Sequence, residues 1–155
     1  MKNAYIFSFF ILSLLGVSIY LLSDNQNKID GNVGEVILYK SNTCGCCGIY
    51  YNYLRNNIGN SIKAVNLEDM NAIKEKYTIP LFLQSCHTTI ISGYFVEGHI
   101  PIEAINKLIS EKPNIKGIAM PGMPSGSPGM PGKKIGSFDV FAVSNDGKSE
   151  LFMSL

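Results

Sequence analysis

The chain has 155 residues, which suits one domain with accessory segments, and 46% of them are hydrophobic, enough for an ordinary core. The formal net charge is +1, with acidic and basic residues dispersed. Neither the basic stripe of a nucleic-acid binder nor an acidic solvating tail is present.

Asn3 to Ser23 is an uncharged, mostly apolar run, close to the roughly 20 residues a helix needs to cross a bilayer. Lys2 precedes it and Asp24 follows, an asymmetry that keeps the N-terminus inside and sends the rest outward. A cleaved signal peptide is the alternative. Signal cores run about 7–15 residues and end at small side chains, whereas bulky Tyr20, Leu21 and Leu22 stand at the end of this run. Length and flanks favour an uncleaved anchor. Residues 1–23 are thus read as a membrane anchor or signal segment, 24–33 as a polar linker and 34–155 as the folded domain.

Gly34 to Lys40 is compact and β-branched and reads as a strand. A loop follows, Ser41-Asn42-Thr43-Cys44-Gly45-Cys46-Cys47-Gly48, and then a helix to about Asn57, with Ile49 and Tyr53, and Tyr50 and Leu54, four apart. Ser61 to Leu67 reads as a second strand and Glu68 to Tyr77 as a helix, broken at Ile79-Pro80. Thr88–Ser92 and Tyr94–Glu97 flank Gly93 as a hairpin. Pro101 opens a helix with Ile102, Ile105, Leu108 and Ile109 as its buried stripe. Residues 117–136, rich in Gly, Pro, Ser and Met, read as a long loop. Phe138–Ser144 and Glu150–Ser154 close the chain as a hairpin. The expected fold is α/β, in the thioredoxin-like order β-α-β-α-β-β-α, with a Pro/Gly/Met-rich loop and a C-terminal β-hairpin added.

Cys44, Cys46, Cys47 and Cys86 are the four cysteines. Three of them are too crowded to act as structural staples, and crowding suits metal ligation or thiol redox chemistry. Cys44 and Cys47 form a C-x-x-C pair opening a helix, where backbone N–H groups and the helix dipole stabilise a thiolate. Cys46 adds a third thiol that a dithiol switch does not need. Thiolates are soft ligands that select Cu(I), Zn or iron–sulfur clusters. Adjacent Cys46 and Cys47 fit sulfurs bridging several Cu(I) ions better than one isolated tetrahedral ion. Cys86 completes such a site or is a lone buried cysteine. An idle free thiol in an exported protein risks oxidation, which favours the ligand role. His87 either ligates or orients a sulfur. His99 is either a ligand or a capping or surface histidine, and Gly98 beside it suggests close backbone approach. Met120, Met123 and Met130 lie in the Pro/Gly loop, either as thioether ligands for Cu(I) or as packing of the loop on the core.

Tyr39-Lys40-Ser41-Asn42-Thr43-Cys44-Gly45-Cys46-Cys47-Gly48, Ser85-Cys86-His87-Thr88, Gly93-Tyr94-Phe95-Val96-Glu97-Gly98-His99-Ile100-Pro101 and Pro121-Gly122-Met123-Pro124-Ser125-Gly126-Ser127-Pro128-Gly129-Met130 together resemble the CopG-type bacterial copper-resistance family. The likeness runs from about Val33 to the C-terminus, with the motifs in the family's order. It implies a thioredoxin-like periplasmic domain, found alongside copper-export systems, with copper held by Cys44, Cys46, Cys47 and Cys86. His87, His99, Met123 and Met130 are the further candidate ligands. Two features depart from the family pattern. The N-terminal apolar run is long, and the loop ends in Met130-Pro131-Gly132-Lys133-Lys134 without an acidic residue.

The expected function is copper resistance or handling in the periplasm, with more than one Cu(I) ion in a thiolate cluster and the copper cycling between redox states. Expected partners are copper ions, envelope copper-export or carrier proteins, and the inner membrane through the N-terminal segment, with no nucleic acid. The alternative is a thiol–disulfide oxidoreductase using Cys44 and Cys47. A zinc or iron–sulfur protein is a third reading, and an oxidising compartment counts against an unprotected iron–sulfur cluster.

Overall fold

The computed structural model describes residues 33–58 and 62–155. The expected anchor, residues 1–23, and nearly all of the expected linker lie outside the described residues. Among the described residues no helix is long and apolar enough to cross a membrane.

In chain order the elements are β1 (Val36–Ser41), α1 (Gly45–Ile58), β2 (Ile62–Leu67), α2 (Asn71–Lys76), a 3-10 turn (Leu81–Leu83), β3 (His87–Ile91), β4 (Tyr94–Glu97), α3 (Ile102–Glu111), β5 (Ile115–Ala119), β6 (Asp139–Ser144) and β7 (Ser149–Ser154). The expected β-α-β-α-β-β-α order is present. Strand β5 is a correction to the expected loop, which begins after it. Gly117 hid this strand, because glycine breaks a strand pattern read from side chains alone. A Cβ there would lie 2.1 Å from the Phe95 carbonyl oxygen. Glycine is what lets β5 run beside β4.

The strands form one mixed sheet in the order β2-β1-β3-β4-β5-β6-β7. Strands β1 and β2 are parallel, as are β4 and β5, and the other neighbours are antiparallel. Parallel neighbours need a crossover, and α1 and α3 supply the two.

Alternation along the strands separates two cores. Val96 and Ile118 pack with Tyr50 and Leu54 of α1 and Ile102, Ile105 and Leu108 of α3. Phe95 and Ala119, their neighbours in sequence, pack with Ile79, Leu83 and Val143 on the opposite face. Cys47, Tyr50 and Leu54 are the buried residues of α1. Their spacing of three and four residues puts them on one face, so the packing that seats the helix also carries Cys47 inward.

Two tyrosines of α1 hold the chain between β4 and α3. The Tyr50 hydroxyl donates to the Ile100 carbonyl at 2.9 Å. The Tyr53 hydroxyl accepts the Ile102 N–H at 2.8 Å, satisfying one of the first backbone donors of α3.

Candidate metal centre

The centre forms at one end of the sheet. Strand β1 ends at Ser41, and the Cys44 N–H bonds back to the Ser41 carbonyl at 3.3 Å before α1 starts. Strand β3 begins at His87, paired with Lys40 of β1. This register brings Cys86, forty residues along the chain, to the cysteine loop. Strand β4 ends at Glu97 opposite Thr88, and the Gly98 N–H then bonds to the His87 carbonyl at 3.1 Å. Gly98 has φ of +85°, and a Cβ there would lie 2.6 Å from the Met120 carbonyl oxygen. The close approach expected at Gly98 is therefore real, and it sets His99 facing the cysteines.

Cys44 and Cys47 are joined by a disulfide with Cα atoms 5.4 Å apart. Cys46 and Cys86 are free thiols. Cys46 Sγ lies 3.5 Å from Cys44 Sγ and 4.0 Å from Cys86 Sγ. Cys86 Sγ in turn lies 3.2 Å from His87 Nδ1 and 3.2 Å from His99 Nε2. Among the described residues two groups of potential ligand atoms result, each with its members within 4.8 Å of one another: the four cysteine sulfurs, and Cys86 with His87 and His99. Cys86 belongs to both.

The imidazoles sit in a buried, largely aromatic shell. His87 and His99 are both 0% exposed. Their rings meet edge to face at 4.7 Å, and the Tyr50 ring lies 4.4 Å from that of His87. Burial, followed by the neighbouring His99 and then Lys74, pushes the His87 pKa down to about 3. Burial lowers that of His99 as well. Both rings are thus neutral near pH 7 and carry a lone pair, as a metal ligand requires. Nε2 of His87 is buried without a hydrogen-bond partner, a state that normally asks for a water or an ion. Burial, then the nearby Cys46, pushes the Cys86 thiol up to about 12, so without metal it stays protonated. It has one proton and can donate to only one of the two imidazoles. A cation would remove that proton and take up the sulfur's charge.

Sulfur and imidazole make up both groups, and neither contains a carboxylate. That donor set fits copper or zinc and does not fit calcium or magnesium. Cys44 and Cys47 could join such a donor set only once reduced, since a disulfide sulfur is not a thiolate ligand.

The structure thus brings together Cys44, Cys46, Cys47, Cys86, His87 and His99. His99 is neither a surface histidine nor a cap. The methionines of the loop divide. Met120 is buried in the core, Met123 is 40% exposed and Met130 is half-buried. The loop reaches the centre through its backbone, because the Pro128 carbonyl accepts from His99 Nδ1 at 2.7 Å. Gly129 fits the loop against α1, where a Cβ would lie 2.9 Å from the Tyr50 nitrogen. Sequence reading missed Tyr50, Glu97 and Pro128 as parts of the surroundings. Glu97 alone left a signal, as a carboxylate closing an otherwise apolar strand.

Residues 83–130 match a family model described as "Protein of unknown function, DUF411". Two solved structures of a copper resistance protein, CopG, are similar to this chain. Form 2 is 34% identical, covers 78% of this chain and 97% of its own, and superposes with a TM-score of 0.72. Form 1 is 34% identical, covers 78% and 96%, and has a TM-score of 0.71. No curated protein matches the sequence.

Proposed function

The chain belongs to the CopG copper resistance family, and we propose that it binds copper as Cu(I), more than one ion per chain, in a thiolate and imidazole cluster. The observation that carries this reading is the position of Cys86, whose sulfur is common to the four-cysteine group and to the pair of histidines. A thiolate can bridge two Cu(I) ions, and a shared sulfur joins two neighbouring ligand groups into one polynuclear site. Cys44, Cys46, Cys47 and Cys86 supply the thiolates, and His87 and His99 the imidazoles. Met123 and Met130 complete the reading as soft thioether donors on the covering loop.

The order β2-β1-β3-β4, with β1 and β2 parallel and β3 and β4 antiparallel, supports a thioredoxin-like frame for this site. The charge asymmetry around Asn3 to Ser23 supports a periplasmic domain tethered to the inner membrane. There it would receive copper from, or pass it to, export or carrier proteins of the envelope, with copper changing between redox states as it moves. A second reading, a thiol–disulfide oxidoreductase, is favoured by one observation: Cys44 and Cys47 are disulfide-bonded where α1 begins.

Anaerobic Cu(I) titration of the reduced protein, with metal analysis and an insulin-reduction assay on the four single Cys→Ser variants, separates the two. Copper handling predicts fewer Cu(I) ions per chain in Cys46→Ser and in Cys86→Ser. Full loading of Cys86→Ser, with strong reductase activity lost only in Cys44→Ser and Cys47→Ser, would establish the oxidoreductase instead.

A further inference from the structure

The Cys86–His87 dipeptide supplies a sulfur and an imidazole at the junction of the two ligand groups, where strand β3 begins. The β1–β3 ladder ends at the Lys40–His87 pair, so Ser85 and Cys86 lie beyond its pairing. Glu97, at the end of β4, is 0% exposed and turns its carboxylate toward this junction. Its Oε1 accepts the backbone N–H of Ser85 at 2.6 Å, one residue before Cys86. Its Oε2 accepts the Thr88 hydroxyl at 2.6 Å, one residue after His87. Lys74 of α2, also buried, donates to Oε1 and balances the charge. Further along the chain, the Met120 N–H bonds to the Glu97 carbonyl at 3.0 Å. One carboxylate therefore grips the chain on both sides of the two ligands.

We propose that Glu97, charge-balanced by Lys74, is a positioning residue of the metal centre that fixes Cys86 and His87 by clamping Ser85 and Thr88. Burying a carboxylate and an ammonium together is costly, and apolar side chains could have filled the same space. The pair spans the gap between α2 and the ligand-bearing strands, and its hydrogen bonds end on the residues flanking the ligands. This is the arrangement that orients metal ligands from behind. Disturbing such supports typically lowers metal affinity by about 10- to 100-fold. The inference rests on the copper-binding reading above.

The test uses the reduced full chain with Cu(I) as probe, competed against a chromogenic Cu(I) chelator, together with thermal unfolding of the metal-free protein. Thr88→Val removes one arm of the clamp without touching a charge. Its affinity should fall severalfold or more, with a changed ultraviolet thiolate-to-copper band, while the metal-free fold persists. Thr88→Ser, which keeps the hydroxyl, should recover the wild-type affinity and band. Glu97→Gln, alone or with Lys74→Met to avoid an unpaired buried charge, should lower affinity by about 10-fold or more. If Glu97→Gln fails to fold, the Thr88 pair decides alone. Folded Thr88→Val with wild-type affinity and band would overturn the proposal. Cys86→Ser serves as the control. If it too binds copper like the wild type, the copper reading has failed rather than the clamp alone.

Discussion

His99 Nδ1 donates to the Pro128 carbonyl oxygen at 2.7 Å, and that one bond decides what the other ring nitrogen can do. A carbonyl only accepts, so the proton is on Nδ1. In the neutral ring Nε2 then bears a lone pair, and it lies 3.2 Å from Cys86 Sγ. The Pro/Gly loop thereby fixes the tautomer of His99 through backbone, with no side chain of its own.

His99→Gln keeps a polar side chain but loses the imidazole lone pair beside Cys86. Its Cu(I) affinity should fall by about 10-fold or more while the metal-free protein stays folded. Chelator competition measures this directly. A folded variant with unchanged affinity would remove His99 from the site.

The redox state of Cys44 and Cys47 should set the copper capacity. The disulfide leaves Cys46, Cys86, His87 and His99 as donors and withholds two of the four thiolates. A thiol reductant supplies two electrons and two protons to regenerate the two thiols, which lose their protons on metal binding. Oxidised protein should therefore take up fewer Cu(I) ions than reduced protein, with full uptake restored by a dithiol. Equal stoichiometry in the two states would show that Cys44 and Cys47 are not ligands.

The metal-free protein should lose stability on mild acidification. His87 has a folded pKa near 3 against 6.5 for the free side chain. Between those values the unfolded chain holds a proton that the folded chain does not. Stability is therefore complete above about pH 6.5 and declines toward pH 3, by up to about 1.4 kcal/mol per pH unit. His99, lowered by burial, acts in the same direction. Urea midpoints near neutral pH and at about pH 5 should differ in the wild type and differ less in His87→Leu. The same slope in both proteins would mean that His87 is not buried in its neutral form.

Much of the fold is written locally. Tyr50 and Leu54 declare the inner face of α1 by their spacing, and Ile102, Ile105 and Leu108 that of α3. The Asn145-Asp146-Gly147-Lys148 turn declares the last hairpin. Periodicity shows these elements because each is defined by neighbours a few residues away. Strand β5 escaped because Gly117 has no side chain to contribute to a pattern, and its reason for being glycine lies across the sheet at Phe95.

The sequence by itself determined the donor chemistry: three thiols at the opening of a helix, a fourth thiol beside a histidine, and a Pro/Gly/Met loop. Tertiary structure decided which donors meet. Cys46 and Cys86 are forty residues apart, and they face each other because β1 pairs with β3 in one register, with Lys40 opposite His87. A slip by one residue would turn His87 to the other face of the sheet. Only the folded chain could place Pro128 behind His99 and Glu97 behind Cys86 and His87. Hydrogen bonds of that kind join residues far apart in sequence, and spacing along the chain carries no record of them.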